Sequence, residues 1–124
     1  MKVFVVDDEQ VILNSCRLVL AAEGFDASFF DSADEALQAL QHEVPTLIIV
    51  DIKMPGHDGF YFINEVRKMH GSIPVIAMSG YPTRKTIADS GASGATRFLE
   101  KPFTPNEFLD TIYKTMGKEQ QNET

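Results

Sequence analysis

The sequence predicts an α/β protein in which a doubly wound, five-stranded parallel sheet carries five helices on its two faces. Short apolar runs rich in Val and Ile alternate with longer segments whose apolar residues recur at helical spacing. The chain of 124 residues shows no internal repeat or linker and is long enough for one core. We therefore expect one domain over residues 1–117 and a polar, frayed tail over residues 118–124.

The strands are predicted from β-branched and aromatic runs that end at polar or turn residues. They cover residues 3–6, 25–30, 47–51, 75–78 and 96–99.

Capping signals mark the helices between the strands. The tetrapeptides that begin at Ser32 and Thr104 have the Ser/Thr-x-x-Glu pattern of a capping box, and Asp58 introduces the third helix. Gly24 and Gly117 are expected to follow the ends of the first and last helices. Residues 83–93 form the weakest predicted helix, because Ser and Gly are poor helix formers. The inward faces are predicted as Ile12, Cys16, Val19 and Leu20; Ala36, Leu37 and Leu40; Phe62, Ile63, Val66 and Met69; and Phe108, Leu109, Ile112, Tyr113 and Met116.

Polar side chains follow four of the predicted strands. Asp7 and Asp8 follow the first, Asp51 the third, Ser79 the fourth and Lys101 the fifth. The carboxyl ends of parallel strands line one crevice, where open α/β sheets bind ligands. Such a set suits a divalent cation and phosphoryl acceptance. It also favours the strand order 2-1-3-4-5, in which strands one and three are neighbours.

Simpler interpretations exist for most of these residues. Asp7 and Asp8 could cap the first helix, Ser79 could be a turn residue and Lys101 a solvated charge. Asp51 has little structural reason to follow four apolar residues, because burying a charge there is unfavourable.

The composition excludes several functional classes. With 11 Lys and Arg against 18 Asp and Glu, the formal net charge is −7, which argues against sequence-independent binding to nucleic acid or anionic membranes. No apolar run approaches the roughly 20 residues of a membrane-spanning helix, and the N-terminus lacks a signal-peptide pattern. A lone cysteine, Cys16, cannot form an internal disulfide, so we expect a cytoplasmic protein.

Together, the motifs resemble the receiver domain of bacterial two-component response regulators. The resemblance covers residues 3–116 and is carried by four motifs in order, each at a strand end. It implies a flavodoxin-like sheet of order 2-1-3-4-5 and a phosphoacceptor switch rather than an enzyme with a separate substrate. The motifs are Val-Val-Asp7-Asp8-Glu9, Asp51-Ile-Lys-Met-Pro-Gly, Ser79-Gly80 and Phe98-Leu-Glu-Lys101-Pro-Phe.

The resemblance also implies roles for individual residues. Asp51 would accept the phosphoryl group, Ser79 would bond one of its oxygens and Lys101 would pair with it. Phe98 holds the position of the family's switch aromatic, which would turn inward when Ser79 moves. The partners implied are a sensor histidine kinase or phosphotransfer protein and an output domain or protein. A phosphorylation-dependent homodimer remains open, and no direct contact with nucleic acid or membrane is expected.

The cofactor implied is Mg²⁺. The resemblance gives Asp8 and Asp51 as its carboxylate ligands, Asp7 as a ligand through water, and the main-chain carbonyl of Lys53 as a further ligand. Charge supports this, because three ionised carboxylates total −3, and a divalent cation with Lys101 contributes +3. Carboxylates with waters and a phosphate oxygen are a usual Mg²⁺ shell.

Other functions would leave different signatures. An aspartyl-phosphate phosphohydrolase needs a second Asp two residues after the first, where this chain has Lys53. An FMN-binding domain needs a phosphate-binding loop after strand one, where Asp7-Asp8-Glu9 would repel phosphate. A receiver-like docking module that takes no phosphate stays open. So do the kinase, the output, the oligomeric state and whether the chain is a fragment of a longer regulator.

Overall fold

The computed structural model describes residues 1–117, in which five strands and five helices strictly alternate. The strands are β1 (Lys2–Val6), β2 (Asp26–Phe30), β3 (Leu47–Asp51), β4 (Val75–Gly80) and β5 (Arg97–Lys101). The helices are α1 (Gln10–Ala22), α2 (Ala33–Leu40), α3 (Gly59–Met69), α4 (Arg84–Ser93) and α5 (Pro105–Thr115).

The strands form one parallel sheet of order β2-β1-β3-β4-β5, as the sequence predicts. Val6 pairs with Val50 across β1 and β3, and Gly80 pairs with Lys101 across β4 and β5. The register therefore brings the carboxyl ends of four strands to the same edge of the sheet. The reversal of strand order lies between β1 and β3, where such sheets bind ligands.

The core has two layers because successive strand residues point to opposite faces of the sheet. Phe4, Val6 and Val50 lie in a cluster with α2 and α3, whereas Val3 and Val5 lie in a cluster with α1 and α5. Strand side chains buried on both faces explain why the apolar runs of the sequence are continuous rather than alternating.

The predicted caps are present. The hydroxyl of Ser32 accepts a hydrogen bond from the main-chain N–H of Glu35, and Asp58 caps α3 in the same way. Thr104 and Glu107 form a complete capping box at α5. The N-cap of α1 is Glu9, so neither Asp7 nor Asp8 caps that helix.

Two helical faces differ from the prediction. Met69 was expected to face inward but is 37% exposed, because α3 ends at this residue and no following turn covers its side chain. In α1 the buried positions include Leu13, which the predicted inward face omitted. Strands β2 and β5 each begin one residue later than predicted, at Asp26 and Arg97.

The predicted frayed tail, residues 118–124, lies outside the described residues. Among those that are described, no helix has the length and apolar character that crossing a membrane requires. Helix α4 exists as predicted, and its packing is thin, since Ser90 is its one fully buried residue.

Candidate functional site

The ends of β1, β3, β4 and β5 bring the predicted site residues together. Asp7 follows β1 directly, whereas Asp51, Ser79 and Lys101 still belong to their strands. Asp8 is exposed in the loop that leads to α1. One carboxylate oxygen from each of Asp7, Asp8 and Asp51 lies within 4.8 Å of the others. The predicted convergence is therefore present, and a cavity of about 510 Å³ opens above it.

Lys101 lies at the centre of the charged groups. Its Nζ is 2.8 Å from Oδ2 of Asp7 and 3.3 Å from Oδ2 of Asp51. A third carboxylate, that of Glu9, accepts a hydrogen bond from the same Nζ at 2.8 Å. Asp7 is fully buried and Asp51 nearly so, whereas Glu9 is largely exposed. Lys101 thus compensates the charge of two buried acids.

Burial changes the protonation of these acids. It raises the pKa of Asp51 to about 6, the repulsion from Asp7 adds to this effect, and the attraction of Lys101 opposes it. Burial also raises the pKa of Asp7, against hydrogen bonds and charge attraction that lower it. For Lys101, burial alone would lower the pKa, but the carboxylates of Asp7, Glu9 and Asp51 outweigh burial and raise it. The ammonium therefore stays charged at neutral pH.

Main-chain N–H groups fix the two buried carboxylates. Oδ1 of Asp7 accepts a hydrogen bond from the N–H of Glu9 at 2.9 Å, and Oδ1 of Asp51 accepts one from Lys53 at 3.2 Å. These bonds leave the Oδ2 atoms directed toward Lys101. In the described residues Oδ2 of Asp7 is buried, and its polar contact is the ion pair with Nζ of Lys101.

A glycine allows α3 to start beside the end of β3. A Cβ at position 59 would lie 2.5 Å from the main-chain oxygen of Asp51 and 2.6 Å from Cα of Ile52, which is closer than atoms can approach. The N–H of Gly59 donates a hydrogen bond to the carbonyl of Ile52 at 2.8 Å. Gly59 therefore holds the loop after β3 close to the strand end.

Ser79 and Phe98 occupy the β4 and β5 side of the site. Ser79 is fully buried, and its Oγ donates a hydrogen bond to the carbonyl of Gly80 at 3.2 Å. Phe98 is half-buried and packs against the core cluster on the α2 and α3 side. Two residues after Ser79, Tyr81 has a positive φ of 49° and a side chain that is 93% exposed at the cavity rim. The peptide bond between Lys101 and Pro102 is cis.

Sequence reasoning missed Glu9 as a member of this site. Its partner Lys101 is 92 positions away, so only the register of β1, β3, β4 and β5 could reveal the contact. Its neighbours Asp7 and Asp8 were the available signal. His57 is exposed, with its Nδ1 2.8 Å from Oδ1 of Asp34 and its ring stacked on Tyr61.

The arrangement has a clear chemical capacity. Carboxylate oxygens that converge within 4.8 Å suit a hard divalent cation, because oxygen ligands of this kind are the ones that such a cation binds in proteins. Lys101 supplies one fixed positive charge beside Asp51. Anionic oxygens bound there would meet an ammonium group and a buried hydroxyl from Ser79.

Comparisons with known proteins agree on one class, the response regulators of two-component systems. The family model described as "Response regulator receiver domain" matches residues 3–113. The chain therefore belongs to the response regulator receiver domain family, and the resemblance inferred from its motifs is confirmed.

Relatives of very different lengths share this domain. The DNA-binding transcriptional regulator NtrC of Escherichia coli K12 is 29% identical over 121 residues, which are 98% of this chain and 26% of NtrC. The chain thus spans about a quarter of the length of such relatives. An uncharacterised 14.6 kDa protein encoded near sodA1 in Leptolyngbya boryana is 33% identical over 114 residues, covering 90% of this chain and 87% of that protein.

Solved structures show the same fold. The chemotaxis protein CheY4 of Vibrio cholerae is 29% identical and superposes with a TM-score of 0.89 over 92% of this chain and 97% of that one. NtrX of Brucella abortus is 30% identical with a TM-score of 0.89, over 94% of this chain and 27% of NtrX.

Proposed function

We propose that this domain is a phosphorylation-activated signalling switch and that Asp51 accepts the phosphoryl group. The observation that carries the proposal is the position of Asp51: a buried carboxylate at the end of β3, 3.3 Å from Lys101 and within the cluster formed with Asp7 and Asp8. Membership in the receiver family supports it. The domain would assist its own phosphorylation and dephosphorylation and would have no separate substrate to turn over.

Asp51 is a competent nucleophile near neutral pH. With a pKa of about 6, most of its side chain is ionised at pH 7.5, so no general base is needed. The hydrogen bond from the N–H of Lys53 to Oδ1 holds the carboxylate in one orientation. The attacking group is therefore fixed before a donor arrives.

Asp8 and Asp51 would bind Mg²⁺ through their carboxylates, with Asp7 acting through a water and Lys53 through its main-chain carbonyl. The convergence of the three carboxylates supports this assignment. When bound, the cation neutralises negative charge on the transferring oxygens. Asp7 is the most buried of the three acids and contacts Lys101 and the N–H of Glu9. A contact with the cation through a water suits this buried position.

Lys101 and Ser79 would contact the phosphoryl oxygens. Phosphoryl transfer passes through a loose transition state, so positioning and charge neutralisation supply most of the catalysis. Lys101 already lies beside Asp51 with its charge secured by carboxylates. The hydroxyl of Ser79 has a weak local bond to Gly80 that it can exchange for a bond to a phosphoryl oxygen.

The signal would pass from Ser79 to Phe98 and the face formed by α4, β5 and α5. When Ser79 bonds the phosphoryl group, the loop after β4 shifts and leaves room for Phe98 to turn further inward. Phe98 is half-buried and has no hydroxyl, so packing alone decides its position. Thin packing makes α4 the element most easily displaced.

The partners follow from this chemistry. A sensor histidine kinase or phosphotransfer protein would supply the phosphoryl group in the cytoplasm, and an output domain or protein would bind the α4–β5–α5 face. The same face could also form a phosphorylation-dependent homodimer. The alternative function is a receiver-like docking module that takes no phosphate. Lys53 disfavours a phosphohydrolase, because no second carboxylate stands two residues after Asp51.

Intact mass spectrometry tests the proposal. The protein is incubated with acetyl phosphate, with and without Mg²⁺, beside an Asp51→Asn variant. We expect a single Mg²⁺-dependent phosphoryl adduct in the wild type and no adduct in the variant. If the wild type forms no adduct under any condition, the docking module replaces the switch.

A further inference from the structure

Lys101 has a third carboxylate partner, Glu9, which is neither the proposed phosphoryl acceptor nor a proposed Mg²⁺ ligand. Nζ of Lys101 donates a hydrogen bond to Oε1 of Glu9 at 2.8 Å, and Glu9 lines the same cavity as Asp51. We infer that Glu9 restrains phosphoryl transfer: its carboxylate holds the place of a phosphoryl oxygen on Lys101 and leaves that place when Asp51 is phosphorylated. This inference rests on the proposed function.

Of the three acids around Lys101, Glu9 is the one that can leave. Asp7 is fully buried, and moving Nζ away from it would leave a buried charge without compensation. Asp51 receives the phosphoryl group itself. The side chain of Glu9 is 59% exposed, so water can solvate its carboxylate after release. Its hydrogen bond also occupies an N–H donor of Lys101, and its release would free that donor for a phosphoryl oxygen.

The transfer step shows why Glu9 opposes the reaction. An oxygen of Asp51 forms a bond to phosphorus while the bond from phosphorus to the donor atom breaks, and that atom, a ring nitrogen of a phosphohistidine or an oxygen of acetyl phosphate, leaves with the electron pair. From acetyl phosphate the leaving group is acetate. Glu9 occupies a hydrogen-bond donor of Lys101. It also adds negative charge where an anionic phosphoryl donor enters the cavity. Asp7 still holds Lys101 in the site when Glu9 is absent.

Removal of the Glu9 charge should therefore accelerate phosphorylation, whereas loss of a merely structural residue would slow it. For Glu9→Gln we expect the rate constant at subsaturating acetyl phosphate to rise about two- to fivefold, the range given by loss of one exposed ion pair. The thermal unfolding temperature should stay close to that of the wild type, because Glu9 makes no side-chain cap for α1.

Glu43→Gln is the matched control. Glu43 is an exposed carboxylate paired with Lys2 at 3.6 Å, and Lys2 lies at the opposite end of the sheet. The substitution makes the same change in net charge and breaks a similar ion pair away from the cavity. We expect its rate constant to equal that of the wild type.

A double variant separates the bond to Lys101 from the charge at the cavity mouth. Glu9→Gln combined with Gln10→Glu restores the net charge one residue further along, at an exposed position whose side chain points to Asn14. The amide oxygen that Glu9→Gln introduces still accepts a hydrogen bond from Lys101 but more weakly than a carboxylate, so if the strength of this bond sets the rate, the double variant keeps the acceleration. If it returns to the wild-type rate, the inference is overturned.

The remaining outcomes separate this inference from the proposed function. A wild-type adduct with an equal or slower rate for Glu9→Gln overturns the role of Glu9 alone. A wild type that forms no adduct overturns the proposed function, and the role of Glu9 falls with it.

Discussion

Nζ of Lys101, at the end of β5, lies 2.8 Å from Oδ2 of Asp7, which follows β1 on the other side of β3 and β4. The side chain of Asp7 is fully buried and that of Lys101 is 10% exposed. The ion pair therefore spans the carboxyl edge of the sheet and holds together charges that neither strand could bury alone.

Loss of this lysine should destabilise the fold. For Lys101→Met we expect the free energy of unfolding to fall by about 3 kcal/mol at pH 7.5, because Asp7 and Asp51 lose their compensating charge. The loss should be smaller at pH 4.5, where Asp51, whose pKa is raised to about 6, is largely protonated. Urea unfolding of the variant and of the wild type at both pH values measures the difference in the free energy of unfolding.

Lys85→Met is the control for that substitution. Lys85 pairs with Asp89 on the surface of α4 and its side chain is 84% exposed, so the change should stay within about 0.5 kcal/mol. An equal loss for both variants would contradict the structural role assigned to Lys101.

Replacement of Asp51, the proposed phosphoryl acceptor, should stabilise the protein in the absence of metal ions. The pKa of Asp51 is raised from 3.8 to about 6 in the folded state. Between these two pH values Asp51 is ionised in the unfolded chain but still protonated in the folded protein, so the free energy of unfolding falls as pH rises. Above pH 6 the charge of Asp51 lowers the free energy of unfolding by its full amount, about 3 kcal/mol. In Asp51→Asn we expect a gain that is about 2 kcal/mol larger at pH 7.5 than at pH 4.5.

Denaturant unfolding in the presence of a chelator measures this difference. The side-chain amide that Asp51→Asn introduces can itself change the free energy of unfolding, but by the same amount at both pH values. The difference between the two gains therefore reports the charge of Asp51 alone. A gain that is the same at both values would show that the Asp51 charge carries no folding penalty.

The third prediction concerns the cation. A ligand that binds only the folded protein at ten times its dissociation constant stabilises it by about 1.4 kcal/mol, so Mg²⁺ should raise the unfolding temperature by several degrees. Asp8→Asn should lose most of this increase, because it removes an exposed carboxylate from the cluster. Asp26→Asn, at the other end of the sheet, should retain it. Differential scanning calorimetry gives both values, and an equal increase in the two variants would remove Asp8 from the ligand set.

The sequence predicted the parts of this molecule that depend on local patterns. The apolar runs predicted the strands. The polar residues at the strand ends predicted that Asp51 and Lys101 meet, because parallel strands place their carboxyl ends at one edge of the sheet. Caps such as Thr104 followed from residue type and spacing alone. These features need no knowledge of which side chains meet across the fold.

Contacts between distant side chains could not be predicted in the same way. An exposed Glu9 is typical of a solvated surface, and its bond to Lys101 depends on the register of four strands. Met69 continues the apolar face of its helix, yet the pattern does not show where that helix ends. Arg67 offers no signal either, because its partners are main-chain carbonyls that any residue provides.

Arg67 joins α3 to the end of α4 and the start of β4. Its Nη2 donates a hydrogen bond to the carbonyl of Gly94 at 2.6 Å, and its Nη1 donates one to the carbonyl of Ile73 at 2.8 Å. Burial lowers the pKa of the guanidinium. A Cβ at position 94, where φ is +116°, would lie 2.8 Å from Nε of Arg67, so glycine is needed there.

This contact leads to the fourth prediction, on the mobility of α4. In Arg67→Met two carbonyls lose their donors, and we expect a loss of about 2 kcal/mol in the free energy of unfolding. Amide hydrogen exchange should accelerate in the last turn of α4 more than in α3, because α4 has few other buried contacts. Arg84→Met, which changes an exposed residue at the start of α4, should leave exchange unchanged. Uniform acceleration over the whole domain would instead mean that Arg67 stabilises the fold without anchoring α4.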